Sequence, residues 1–443
     1  MIAADCSPAD VSDDGWMALA CGVGYNLVEI IEHGGPSGHS LDAGVVYVAH
    51  NDVFVLSHTR GGDLLSGAAG IAVVLAELSA LSGVDRFVEE AVRQADIAIR
   101  VCSALSEEMD RWSGASSDVP TNGMYTGLAS FLYCLKFLAR MEGVEPVSKA
   151  IYTAIAQAEE SLAAFDFEAA FASNGWLQVA PVASLLAVLS SETTCMADDG
   201  VPVGGGVESS FGNIRTDASC SDTYGNERAG DERILSELRD RLAGIIVANW
   251  GKYFPALPIN PVMSDLFPSE RAMAVLALSR YADSTSTALP HQMFNWLDQA
   301  SELTSSDRLV AISLGKKLPD PAVPSTSLGC ISVIEEKLLS YKYEWNWAQL
   351  ASAREVGTVL AGRKESYCRW FPEAVLPDRY RLSALWGLAA VAHTFAGLSD
   401  PRRWCSMRLL EHPDVERSTI KDVVPPSSKP LDGEAFHGEH LSG

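Results

Sequence analysis

The chain has 443 residues, 47% of them hydrophobic and 20% charged, an ordinary globular balance with apolar material for a large core. A formal net charge of -24 repels phosphate backbones and argues against a nucleic-acid partner. Nine cysteines, an odd number with no Cys-x-x-Cys pair, point to reduced thiols in a cytoplasmic protein. The opening residues lack the pattern of a signal peptide, and no uncharged apolar run reaches about 18 residues, so no membrane span is expected.

Residues 1–15 are polar and acidic. Trp16 to Glu32 carries the pattern of a helix ended by Gly34-Gly35-Pro36. Two β-branched runs, Gly44–Ala49 and Val53–Leu56, flank His50-Asn51-Asp52 and predict a β-hairpin. The stretch Leu64-Leu65-Ser66-Gly67-Ala68-Ala69-Gly70-Ile71 then opens an apolar helix that runs to Leu81 and stops at Ser82-Gly83. Its Gly and Ala content suits close approach between helices. A second helix, from about Val84 to Leu105, places Val88, Val92, Ala95, Ile99 and Cys102 on one face.

This two-helix unit recurs at intervals of about 50 residues. Tyr125-Thr126-Gly127-Leu128-Ala129 opens an apolar helix to Met141, and Val147, Ile151, Ile155, Ala158 and Leu162 stripe its amphipathic partner. Ser173-Asn174-Gly175-Trp176-Leu177 opens a third apolar helix to Leu189, with Pro181 in its first turns, where a missing N–H costs least. From Ser190 to Gly230 the periodicity collapses and the chain reads as loop or as a decayed repeat. Helices resume at Asp231–Ala248, Ser269–Tyr281, Gln292–Leu303 and Arg308–Lys317. Ser327-Leu328-Gly329-Cys330 opens another to Leu339, Asn346–Arg363 makes its partner, and Leu385-Trp386-Gly387-Leu388-Ala389 starts the last, to Gly397. The expected architecture is all-α: residues 1–412 as one double-layered α/α toroid of about six to seven helix pairs, with the small hairpin near its N-terminus. Residues 413–443, rich in Pro, Ser and Gly, read as a disordered tail.

The repeated Ser-Gly-x-Ala-Gly-Ile helix start resembles the lanthionine synthetase C-like family, and most of all the C-terminal cyclase domain of class II lanthipeptide synthetases. The end of the chain is the most specific part of the likeness. Gly387-Leu388-Ala389-Ala390-Val391, Leu398-Ser399-Asp400-Pro401 and Ser406-Met407-Arg408-Leu409-Leu410-Glu411 are similar to how those synthetases finish. Cys368 and Asn249-Trp250 add weaker likenesses. The resemblance implies thioether ring closure, in which a peptide cysteine adds to dehydroalanine or dehydrobutyrine. In metal-dependent members a zinc ion held by Trp-Cys-x-Gly and Cys-His-Gly motifs activates the thiol. Neither motif is present. The first aligns with Leu266-Phe267-Pro268-Ser269 and the second with Gly329-Cys330-Ile331, and no histidine lies between Ser190 and Tyr281 to serve as the family's general acid. One soft ligand does not hold a catalytic zinc, so no metal or other cofactor is expected.

At the helix starts, Glu270 and Arg271 stand where the metal site would be, as a proton donor and an anion stabiliser, and Cys330 stands at the next start as an activated thiol. The alternatives are routine helix-end electrostatics for the first two and a buried core cysteine for the third. Tyr125, Thr126, Asn174, Trp176 and Trp386 are candidate peptide-gripping residues at the same mouth, or else packed aromatics and caps. His437-Gly438-Glu439-His440 has no third ligand, and His33, His39, His50 and His58 read as solvated. The resemblance implies a precursor peptide, with its leader and dehydrated core, as the substrate of a zinc-independent cyclase. The competing reading is a non-catalytic partner of a kinase, lyase or dehydratase.

Overall fold

The structure is a computed structural model, and it describes residues 13–33, 67–112, 128–141, 143–169, 179–191, 221–250, 268–285, 303–321, 327–362, 382–385 and 387–412. The described residues are all-helical, as expected. The elements are α1 (Asp13–His33), α2 (Ala68–Ser82), α3 (Asp85–Trp112), α4 (Leu128–Leu138), α5 (Glu145–Ala164) and α6 (Val179–Ser190). They continue as α7 (Ser221–Asn249), α8 (Glu270–Thr285), α9 (Ser305–Ser313), α10 (Ser327–Glu344), α11 (Trp347–Gly362) and α12 (Leu388–Ser399). The hairpin expected over 44–56, nearly all of the helix expected over 292–303, and the tail after 412 lie outside the described residues. No described helix is long and apolar enough to cross a membrane.

Burial sorts most of these helices into two classes. In α2 every residue from Ala68 to Leu78 is buried, and the same holds for Leu128–Leu138 of α4 and Leu388–Leu398 of α12. The stretches Val182–Ser190 of α6, Ala272–Leu278 of α8 and Cys330–Leu339 of α10 are continuously buried as well. A helix surrounded on all sides has no solvent face to keep polar, and charges inside these six are paired where they are buried, Glu77 with His393, Lys136 with Glu159 and Glu335 with Arg408. The helices α1, α3, α5, α7 and α11 instead alternate buried and exposed residues. The short α9 is mostly buried, with Thr304 capping its N-terminus through the Asp307 amide.

Contacts between neighbours form a closed circuit. They run from α2 to α4, to α6, to α8, through α9 to α10, then to α12 and back to α2. The amphipathic helices pack against this circuit: α3 on α2 and α4, α5 on α3 and α4, α7 on α6, α5 and α8, and α11 on α10 and α12. The first helix of the chain pairs with the last, α1 against α12. Trp16, 1% exposed, carries that contact with its ring centroid 5.8 Å from Phe395. Met1–Pro413 makes one compact unit by its contacts.

Three local details differ from the periodicity. The buried stripe of α3 is turned by about one residue, with Phe87, Ala91, Ala95, Ala98 and Cys102 at its centre and Val88 and Val92 half-buried on the flank. The buried Glu90 accepts from the Gln94 amide at 2.7 Å and pairs with Arg93 at 2.9 Å. The helix expected from Asp231 begins at Ser221, so the last ten residues of the predicted loop are helical. Extending a formed helix costs far less than starting one, and a polar extension leaves no apolar stripe to find. Finally, α9 ends at Ser313 rather than Lys317, and Gly315 follows at φ 79.

Candidate functional site

Two regions gather ionisable groups: the start of α8 and the segment that follows α12. At the first, Ser269 caps α8 by accepting from the Ala272 amide at 3.2 Å, and its own amide donates to Asp307 Oδ1 at 2.6 Å. Asp307 is 3% exposed. Burial raises its carboxyl above the usual range, against the lowering effect of hydrogen bonds from Ser269 and Thr304. A buried carboxyl that holds its proton more tightly is suited to donate one. Glu270 is the first residue of α8, and the exposed Arg271 is the second.

Of the other residues singled out from sequence, Cys330 is the fourth residue of α10 and is 0% exposed within the main hydrophobic core. The structure therefore sets Asp307 against Ser269, the residue that precedes Glu270 and Arg271, and places Cys330 inside the wall. Tyr125, Thr126, Asn174, Trp176 and Trp386 lie outside the described residues. The zinc of the resembled family does not fit the donors here. At the described positions matching its motifs stand Pro268, Ser269 with its hydroxyl used as a cap, and the buried Cys330. Among the described residues no three His, Cys, Asp or Glu side chains are grouped to hold a metal.

The second region is a strap, residues 400–412, that lies across the circuit. Gly397 lets it approach, because a Cβ there would stand 2.6 Å from the Trp404 ring. Arg408, 1% exposed, pairs through Nε with Glu335 Oε2 at 3.1 Å and donates to Ser332 Oγ at 2.9 Å. The Glu411 carboxylate accepts from Lys342 Nζ at 2.9 Å, Tyr343 OH at 2.6 Å and the Ser406 amide at 2.9 Å. Burial alone would raise its pKa, but Lys342, Tyr343 and Ser406 outweigh burial and hold it at about 2. Tyr133 of α4 donates to the Glu411 carbonyl at 2.8 Å, and Arg280 of α8 donates to the carbonyls of Leu409 and Leu410. The strap is thus tied to α4, α8, α10 and α12, and Arg408 also donates to the carbonyl of Leu385, just before α12.

Inside the strap sits His393 of α12. Its Nε2 lies 3.0 Å from the Cys405 carbonyl, which only accepts, and its Nδ1 lies 2.5 Å from Glu77 Oε2 of α2. Nε2 therefore donates to that carbonyl. Burial works against a charge on the ring, but Glu77 and then Glu335 raise its pKa above the usual value. His412 is the opposite case: burial, then Arg140, Lys136 and Arg280, push its pKa well below the usual value. It stays neutral, its ring 5.0 Å from that of Tyr133. A cavity of about 10 Å³ is lined by Glu335, His393, Thr394, Trp404 and Arg408. It has space for about one water and none for a peptide.

None of Glu77, Glu335, His393 or Arg408 was singled out from the sequence as a site residue. The available signal was a lone charged residue inside an all-apolar helix, as in Leu75-Ala76-Glu77-Leu78 and Val391-Ala392-His393-Thr394. A charge that cannot reach water needs a buried partner. No protein-family model matches this chain, and no curated protein matches it.

Proposed function

We propose that this chain is a lanthionine synthetase C-like protein that binds a dehydrated precursor peptide and promotes thioether closure without zinc. The helix circuit is then the inner wall of a double-walled α/α toroid. The observation that carries the reading is the strap. Its residues Ser406–Glu411 are those that resemble the end of the class II synthetases, and they are held on the circuit through Glu335, Lys342 and Tyr343. In this reading the helix starts form the mouth.

In the reaction, the peptide thiol passes its proton to the Glu270 carboxylate, and the thiolate sulfur forms a bond to the β-carbon of the dehydro residue as the alkene electrons move onto the α-carbon and its carbonyl, giving an enolate. Arg271 offers positive charge to the enolate oxygen. Glu270 then returns the proton to the α-carbon. No step is assigned to the buried Cys330, and no step passes through a metal.

The complete burial of Cys330 favours a second reading, a non-catalytic peptide holder that supports a kinase, lyase or dehydratase. Incubation with a dehydrated precursor, followed by mass spectrometry after thiol alkylation, decides between them. Wild-type protein should close rings faster than buffer, and the triple substitution Glu270→Gln, Arg271→Ala, Cys330→Ala should return the rate to the buffer level. Ring formation equal to buffer in the wild type overturns the cyclase, and peptide binding or copurification with a kinase, lyase or dehydratase then supports the holder.

A further inference from the structure

His412, the last residue of the strap, is buried, and among the described residues neither of its ring nitrogens has a hydrogen-bond partner. An imidazole carries at least one N–H in either charge state, and a buried N–H without an acceptor is costly. Shape holds the ring instead. It packs into an aromatic slot on α4, 5.0 Å from the Tyr133 ring and 6.4 Å from the Phe137 ring. The backbone beside it is strained as well. Leu410, buried two residues earlier, turns at φ 53, in the left-handed region that a Cβ disfavours. Ties from outside keep that turn in place. Arg280 of α8 donates to the Leu409 and Leu410 carbonyls, Tyr133 to the Glu411 carbonyl, and the Glu411 amide to the Ser406 carbonyl at 3.0 Å.

The charges around the ring oppose a second proton on it. Lys136 and Arg140 approach from α4 and Arg280 from α8, and all three act with burial to hold the ring neutral. The carboxylates of this region have other partners. Glu159 of α5 pairs with Lys136 at 2.6 Å, and Glu411 of the strap is bound by Lys342 and Tyr343 of α10. Burial keeps the Tyr133 hydroxyl un-ionised, so it adds no charge. An imidazolium in the slot would have two N–H donors, no acceptor and three cations for neighbours. His393, under the middle of the strap, has the reverse surroundings, with Glu77 and Glu335 close by and Nε2 on the Cys405 carbonyl.

We propose that His412 is an acid-operated latch: on taking up a proton it leaves the α4 slot and releases the strained end of the strap, Leu409 to His412, while the middle of the strap stays in place. In the slot the pKa lies well below 6.5, and on release the ring regains that ordinary value. The released form therefore binds the proton more tightly, and acid favours it from near pH 6.5 downward until the pKa in the slot is reached. Between pH 7 and pH 5 the released population should rise about 25-fold. Glu411, held at about 2 from an ordinary 4.5, acts in the same direction only at lower pH. His393, with its raised pKa, acts in the opposite direction and keeps the middle of the strap closed as pH falls. A release between pH 7 and pH 5 thus belongs to His412, and it does not rest on the chemistry proposed for the helix starts.

Hydrogen exchange of the full chain tests it, read by mass spectrometry on a peptide covering residues 405–412 at pH 7, 6 and 5 and corrected for the intrinsic pH dependence of exchange. Protection of this peptide should fall about 25-fold from pH 7 to pH 5, while peptides from α12 keep theirs. His412→Phe keeps an aromatic ring in the slot and takes up no proton, so its protection should not change over this range. Arg140→Gln, at a half-buried position, removes one of the opposing cations and should make the fall shallower. Nuclear magnetic resonance of histidine-labelled protein, with the His412 signal identified by its absence in His412→Phe, should show that ring titrating well below pH 6.5. A fall of less than about threefold in the wild type, an equal fall in His412→Phe, or a His412 signal that titrates at 6.5 or above would overturn the proposal.

Discussion

Glu411→Gln removes one charge from the strap while keeping the shape of the side chain, and the structure sets the size of the effect. The carboxyl is held at about 2, from an ordinary value of 4.5, because Lys342, Tyr343 and the Ser406 amide more than offset its burial. A folded-state pKa below the unfolded one stabilises the fold above the unfolded pKa, and this contribution is lost as pH falls through the folded one. The full shift amounts to about 3 kcal/mol, of which about 1 is lost by pH 4 and about 2 by pH 3. Glutamine imitates the protonated form, so the variant should be less stable than wild type by about 3 kcal/mol at pH 7. The gap should narrow towards acid and close near pH 2. Urea unfolding followed by tryptophan fluorescence at pH 7, 5, 4 and 3 measures it. A gap under about 1 kcal/mol at pH 7, or one that does not shrink between pH 5 and 3, would refute the view that the ionised carboxylate locks the strap.

The pair formed by Glu77 and His393 should show the opposite pH dependence. A histidine whose pKa is raised in the fold contributes fully below its unfolded value and less as pH rises through the folded one. Glu77→Gln should therefore lower the urea midpoint more at pH 6 than at pH 9, and an equal loss at both would show that the imidazolium is not involved. Trp16→Ala should cost about 3–5 kcal/mol, because Trp16 is fully buried between α1 and α12. A loss below about 1 kcal/mol in the same unfolding assay would mean that α1 is not part of the folded circuit.

The all-helical class and most of the helix positions follow from residue spacing alone. Glycine and alanine runs such as Gly67–Ala76 have no polar face to expose, so they can only be interior helices, and the pattern repeats six times. Amphipathic partners such as α5 are legible for the complementary reason, with Ile151, Ile155, Ala158 and Leu162 at helical spacing and buried. Polar helix has no such signature, which is why Ser221–Gly230 reads as loop. The absence of zinc ligands at the helix starts is likewise a property of the sequence, visible without coordinates.

Pairing between distant segments is what only the tertiary structure decides. Spacing within a helix says which face is buried but not which partner buries it. So the docking of α1 on α12, the bridge that α9 makes between α8 and α10, and the ties of the strap to α4, α8 and α10 were out of reach. The same reason hides the ionic locks. Glu77 and His393 are 316 residues apart and Glu335 and Ser406 are 71 apart, and a buried charge advertises only that it needs a partner, not where the partner lies. Cys330 illustrates the limit at a single residue. Its place at a helix start allows either a thiol open to the mouth or one sealed in the wall, and the packing around α10 places it in the wall.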